Sequence, residues 1–216
     1  MTVGILSTMN AQDWANLNYY KTQNEQLGPV KKNENRIVFM GNSITEGWSK
    51  HQPEFFANKP YINRGISGQT SPQMLLRFKQ DVIELQPKIV VLLAGTNDIA
   101  GNTGPSSIAM IVNNITSMIE IAKAHQIEVI LCAVLPAFDY PWRPGLKPNE
   151  KIPVLNNQLL NYAKNHNIVY VDYFAAMNDG NNGLIKSYTY DGVHPNKAGY
   201  QLMGDLLTKA ISEVLK

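Results

Sequence analysis

The chain has 216 residues, of which 44% are hydrophobic, and a formal net charge of +2 at pH 7. That apolar share is enough for one packed domain and too high for a disordered chain. The near-neutral charge, with no basic run longer than Lys31-Lys32, argues against a nucleic-acid surface, and no apolar run is long enough to cross a bilayer.

In chain order, "MTVGILSTMNAQDW" opens with small and apolar residues up to Ala11. It suits either the remnant of a secretory signal ending near Ala11, which would place the chain in the periplasm or outside the cell, or an ordinary frayed end. It lacks the basic start and long apolar middle of a complete signal. Residues 12–26 are expected to form a helix, so that residues 1–27 precede or pack on a domain over 28–216.

Five short apolar runs follow, at 37–40, 61–62, 89–93, 127–135 and 168–171. They are rich in Val and Ile, and several are nearly continuous, as in strands buried on both faces. Between them Leu75, Phe78, Val82 and Leu85 fall at helix spacing. So do Ile108, Ile111, Val112, Ile115 and Ile119, and near the end Met203, Leu206, Leu207, Ala210 and Ile211. Strand alternating with helix predicts an α/β fold, a three-layer α/β/α sandwich around a five-stranded, mainly parallel sheet with flavodoxin-like topology. The one cysteine, Cys132, cannot form an internal disulfide and reads as a small apolar residue of the fourth strand. Residues 136–153 carry five prolines and are expected to be an irregular loop after that strand. Residues 178–190, rich in Asn and Gly, are expected to be a second loop.

Loops at strand C-termini are where ligands bind in such a sheet, and there the chemistry gathers. "IVFMGNSITEGW" ends a strand and places Ser43 at the mouth of a helix, where a serine can cap the helix or act as a nucleophile. A serine hydroxyl needs a base, and the base needs a carboxylate to fix its tautomer. Of the four histidines, only His194 has an aspartate three residues earlier, Asp191, in the Gly/Pro-punctuated stretch "YDGVHPNKAGY". Two such residues without a third ligand make a weak metal site. Acyl transfer also needs donors to an oxyanion. The backbone N–H groups of Ser43 and Gly65 and the side-chain amide of Asn97, in "AGTNDIAGN", are the candidates.

Gly41-Asn42-Ser43-Ile44-Thr45, Gly65, Gly95-Thr96-Asn97-Asp98 and Asp191-Gly192-Val193-His194-Pro195 resemble, in order, the four signature blocks of the SGNH, or GDSL-type, hydrolases. The resemblance spans residues 37–196. It implies Ser43 as nucleophile, Gly65 and Asn97 as oxyanion donors with the Ser43 N–H, and His194 as base with Asp191 as its partner. Asn42 stands where the name-giving pattern has Asp, and Asn42-Ser43-Ile44 does not fit the Gly-x-Ser-x-Gly elbow of the α/β-hydrolases.

The expected function is therefore hydrolysis of an ester with a short acyl group through a serine acyl-enzyme, with no metal or organic cofactor. The substrate is expected to be a small-molecule or carbohydrate ester, with acetylated carbohydrate ahead of lipid esters of the lysophospholipid or thioester kind. Trp48, Tyr140, Trp142 and Arg143 are candidate substrate contacts, since aromatic rings stack on sugars and an arginine pairs with an acid. A non-catalytic carbohydrate- or nucleotide-binding module is the rival class. A nucleotide site lacks its fingerprint, because "GNSITEG" is not Gly-x-Gly-x-x-Gly. Oligomeric state and acyl-length limit leave no mark in the sequence.

Overall fold

A computed structural model describes residues 13–216, so Ala11 and the reading placed on it lie outside the described residues. The strands β1 (Ile37–Gly41), β2 (Tyr61–Gly65), β3 (Ile89–Leu93), β4 (Glu128–Cys132) and β5 (Val169–Val171) form one sheet in the order β2-β1-β3-β4-β5. Every pairing is parallel. β1 and β3 lie inside the sheet and are buried along their whole length, which explains their unbroken apolar sequence. Alternate strand residues face opposite layers. Val38, Met40, Val90 and Leu92 join one core with helices α4 (Ser71–Asp81), α6 (Ile108–Ala124) and α7 (Pro148–Asn165). Ile37, Phe39, Val91 and Leu93 join the other with α2 (Ser43–His51), α8 (Tyr173–Met177) and α9 (Lys197–Val214).

The register aligns Gly41 of β1 with Gly65 of β2 and Leu93 of β3. The C-terminal ends of these strands therefore stand level. The chain leaves β1 toward β2 and later returns to the other side of β1 as β3, so the loops after β1 and β3 diverge above a topological switch point. Two short helices complete the order, α3 (Pro53–Phe56) after α2 and α5 (Thr96–Ile99) after β3.

Three expectations are corrected. The helix before β1 is only α1 (Lys21–Leu27), because the Asp13 carboxylate accepts from the N–H groups of Leu17 and Asn18 and holds a turn there instead. The fourth strand ends at Cys132. Beyond it Val134 is buried and bonds through both N–H and C=O to the side chain of Asn156. The proline-rich stretch is a loop only to Lys147; Pro148 sits in the first turn of α7, where a missing N–H costs nothing. Pro153 lies inside that helix, and the carbonyl of Asn149, which it deprives of a donor, accepts instead from Asn182 Nδ2 at 3.0 Å.

Candidate active site

Four loops meet above the switch point. The first begins at Asn42, whose Oδ1 accepts from the Ile44 N–H at 3.0 Å and caps α2. The cap reading thus passes from Ser43 to Asn42, and Ser43 opens the helix with its hydroxyl free of that duty. Ser43 Oγ lies 3.0 Å from His194 Nε2. His194 Nδ1 lies 2.8 Å from Asp191 Oδ2, and Asp191 Oδ1 accepts from the N–H groups of Val193 (2.9 Å) and His194 (2.8 Å). An Nδ1–H facing the carboxylate leaves the Nε2 lone pair for the serine hydroxyl.

Desolvation alone would raise the Asp191 carboxyl. The N–H of His194, its imidazole and the N–H of Val193 outweigh that and hold it below its usual range. Thr189 closes the same turn, accepting from Gly192 N–H at 3.0 Å and donating to the His194 carbonyl at 2.7 Å. Gly192 takes φ +87°, a value open to glycine at no steric cost. Thr189 carries no motif of its own and was invisible in the sequence.

The oxyanion side needs one correction. Gly65 is committed elsewhere: its N–H donates to Asn63 Oδ1 at 2.9 Å and its carbonyl accepts from the Tyr20 hydroxyl. A Cβ there would lie 2.1 Å from the backbone nitrogen of Glu46, so Gly65 is a glycine because α2 passes directly over β2. Gly68, three residues on, lines the cavity with Ser43, Asn97, Asn102, Trp142 and His194. It has φ +77°, and its carbonyl accepts from Asn102 Nδ2 at 3.0 Å. Among the described residues neither the Ser43 nor the Gly68 N–H has a hydrogen-bond acceptor. The Asn97 amide is fixed by donating one N–H to the Gln69 carbonyl at 2.9 Å, which leaves its second N–H. The neighbouring Asp98 is not in this cavity. Both its oxygens accept from the Ser71 N–H, seating the start of α4, and burial raises its carboxyl.

The four candidate substrate contacts separate. Trp48 is 2% exposed and packs between Phe55, Phe39 and Tyr200, with its indole N–H donated to Gln52 at 2.9 Å. It is a core residue and is withdrawn as a contact. Tyr140 is fully buried with its hydroxyl 2.8 Å from Thr96 Oγ1, and it too is withdrawn. Trp142 is 45% exposed, stacks on Tyr140 with centroids 5.1 Å apart, and stands 5.7 Å from the His194 ring. Arg143 is turned from the serine and donates to the carbonyls of Ala100 (2.8 Å) and Gly101 (2.6 Å). Cys132 is buried and its thiol is pushed up to about 12, so it supplies no thiolate. Among the described residues no three His, Cys, Asp or Glu side chains gather to hold a metal ion, and no helix is long and apolar enough to cross a membrane.

Residues 39–202 match the family of GDSL-like lipases and acylhydrolases, a span that contains every residue of this cavity. The chain belongs to that family. Known structures agree with the assignment. A Bacteroides fragilis protein is 49% identical, with a TM-score of 0.92 over 95% of this chain and 100% of its own. A GDSL-like lipase from Bacteroides thetaiotaomicron is 49% identical, with a TM-score of 0.90 over 92% of this chain and 98% of its own. The acetylxylan esterase of Xylanibacter ruminicola is 24% identical over 84% of this chain but only 44% of its own length. This GDSL-like chain thus spans less than half the length of the curated relatives it matches.

Proposed function

We propose that the chain is a serine esterase that removes short acyl groups, acetyl above all, from a carbohydrate. One observation carries the reading: the unbroken run of hydrogen bonds from Asp191 through His194 to Ser43. In this reading His194 Nε2 takes the Ser43 proton as Oγ attacks the ester carbon. The negative oxygen that forms is met by the N–H groups of Ser43 and Gly68 and by the Asn97 amide. Collapse expels the alcohol, which takes the proton back from His194 and leaves an acyl-serine. Water, deprotonated by His194, then attacks the acyl carbon, and the imidazolium returns that proton to Ser43 Oγ as the acid is released. Asp191 holds the imidazole in the working tautomer and balances its charge in both halves.

The short acyl group is supported by the cavity. It measures about 320 Å³, ample for an acetyl group, and the similar Xylanibacter ruminicola protein is an acetylxylan esterase. The carbohydrate is supported by the exposed Trp142 ring beside His194 and by the likeness to an acetylxylan esterase. Lipid esters are the second reading, motivated by the lipase from B. thetaiotaomicron.

The test is a series of p-nitrophenyl esters from acetate to octanoate, with acetate release from an acetylated oligosaccharide. Fastest turnover on acetate, loss of about a thousandfold or more in Ser43→Ala, and labelling of Ser43 by a fluorophosphonate are expected. Rates that climb with chain length would favour lipid esters. An active Ser43→Ala would end the serine reading.

A further inference from the structure

We propose that a second cavity beside the serine is a subsite for a carboxylate on the carbohydrate, so that the preferred substrate is an acetylated acidic saccharide. This rests on the esterase reading above. The cavity measures about 270 Å³, and its walls include Ile99, Pro105, Leu146, Arg143 and Lys151.

Three pairs of chain neighbours divide between the two cavities. Asn97, Asn102 and Trp142 line the one at Ser43, while Asp98, Gly101 and Arg143 line the other. Consecutive Cα atoms are about 3.8 Å apart, so one thickness of chain separates the two cavities at these three places. In the proposed pose a saccharide stacked on Trp142 crosses that rim and places its next ring at the second cavity.

The exposed charges of that cavity are Arg143 and Lys151, and its one carboxyl, Asp98, is buried. Arg143 and Lys151 form no ion pair among the described residues. The Asp98 carboxylate is buried and accepts from Ser71. Asp139, on the same loop as Arg143, accepts from the N–H groups of Tyr140 and Gly145. Arg143 is also held in place. Nη1 bonds two carbonyls, and at Gly101 (φ +68°) a Cβ would press on that nitrogen at 3.2 Å. The guanidinium therefore stands as a fixed fork whose remaining N–H groups suit a carboxylate.

The experiment compares kcat/KM for acetate release from a neutral acetylated oligosaccharide and from its counterpart bearing a uronic acid. Both cations are solvated, so the expected preference for the acidic substrate is about fivefold, falling as salt is raised. Lys151→Glu should abolish or reverse that ratio, and Arg143→Gln, with its fold checked by circular dichroism, should reduce it. Calorimetry with the deacetylated acidic oligosaccharide should show weaker binding to Lys151→Glu than to the wild type. Equal kcat/KM on the two substrates, or a preference unmoved by Lys151→Glu, would overturn the subsite. Binding that depends on Lys151 without any ester hydrolysis would count against the esterase reading alone.

Discussion

The carboxylate of Glu46 accepts from both the backbone N–H of Ser67, at 3.0 Å, and the Ser67 hydroxyl. Its other oxygen accepts from the Tyr19 hydroxyl at 2.5 Å. Glu46 lies in the first turn of α2, which begins at Ser43, and Ser67 precedes Gly68. One side chain thus ties the helix that begins at Ser43 to the loop that carries Gly68, whose N–H is the second of the proposed oxyanion donors.

A group that only positions that N–H should act on the transition state more than on the ground state. Glu46→Ala is expected to lower kcat on p-nitrophenyl acetate by about tenfold or more, with KM little changed. Affinity for a boronic acid that forms a tetrahedral adduct on Ser43 should fall with kcat. Glu46→Gln, which keeps a carbonyl acceptor, should recover part of both. A loss in melting temperature with kcat and boronate affinity intact would mean that Glu46 only braces the fold.

Gly65, which ends β2, and Gly68, in the loop after it, should fail in different ways. Asn97→Ala sets the scale, since loss of one oxyanion donor costs about a hundredfold to a thousandfold in kcat. Gly68→Ala, strained at φ +77° but with no heavy atom nearer than 3.9 Å to the new Cβ, should lose activity with modest loss of stability. Gly65→Ala meets the Glu46 backbone at 2.1 Å and should lose melting temperature first. Thermal melts beside kcat for the three variants decide between Gly65 and Gly68 as donor.

Two carboxyls give pH effects of opposite sign. The N–H groups around Asp191 keep its folded carboxyl below the usual range. Its contribution to stability is therefore complete above that range and is lost as pH falls through the folded value. Burial raises Asp98 instead, so the folded state takes up its proton first, and its contribution weakens as pH rises through the raised value. Asp98→Asn should flatten that decline in melting temperature measured against pH.

The parallel sheet and the Ser43, Asp191 and His194 cluster were legible because both leave local patterns, unbroken Val/Ile runs in one case and short polar blocks with Gly and Pro in the other. What failed had no local pattern, or one that was misread. Trp48 follows Ile44 by four residues, so on α2 it shares the inward face, and that spacing could have shown it to be core. Tyr140 lies in a loop, where no period tells inside from outside. Gly65 and Gly68 look alike until the strand end is known. The helix α7 was hidden by Pro148 and Pro153, the first harmless at its start and the second compensated by Asn182, far along the chain. For Trp48 the correction is directly testable. Trp48→Ala should cost about 3–5 kcal/mol of stability, with KM unchanged in whatever fraction folds.

The last expectation separates leaving-group recognition from chemistry at Trp142. Its ring rests on Tyr140, which is itself anchored through its hydroxyl to the side chain and carbonyl of Thr96 at 2.8 and 3.0 Å. That makes a braced platform beside His194 rather than a loose surface aromatic. Trp142 belongs to neither the proposed triad nor the proposed oxyanion donors. A small aryl acetate has no second ring to lay on it, so Trp142→Ala should cost little there. On an acetylated oligosaccharide the loss should be about ten- to a hundredfold in kcat/KM, the scale of a buried aromatic anchor. Tyr140→Phe keeps the stacking ring but frees it from Thr96, and should give a smaller loss in the same direction. Equal losses on both substrates would mean that Trp142 steadies His194 and does not hold sugar.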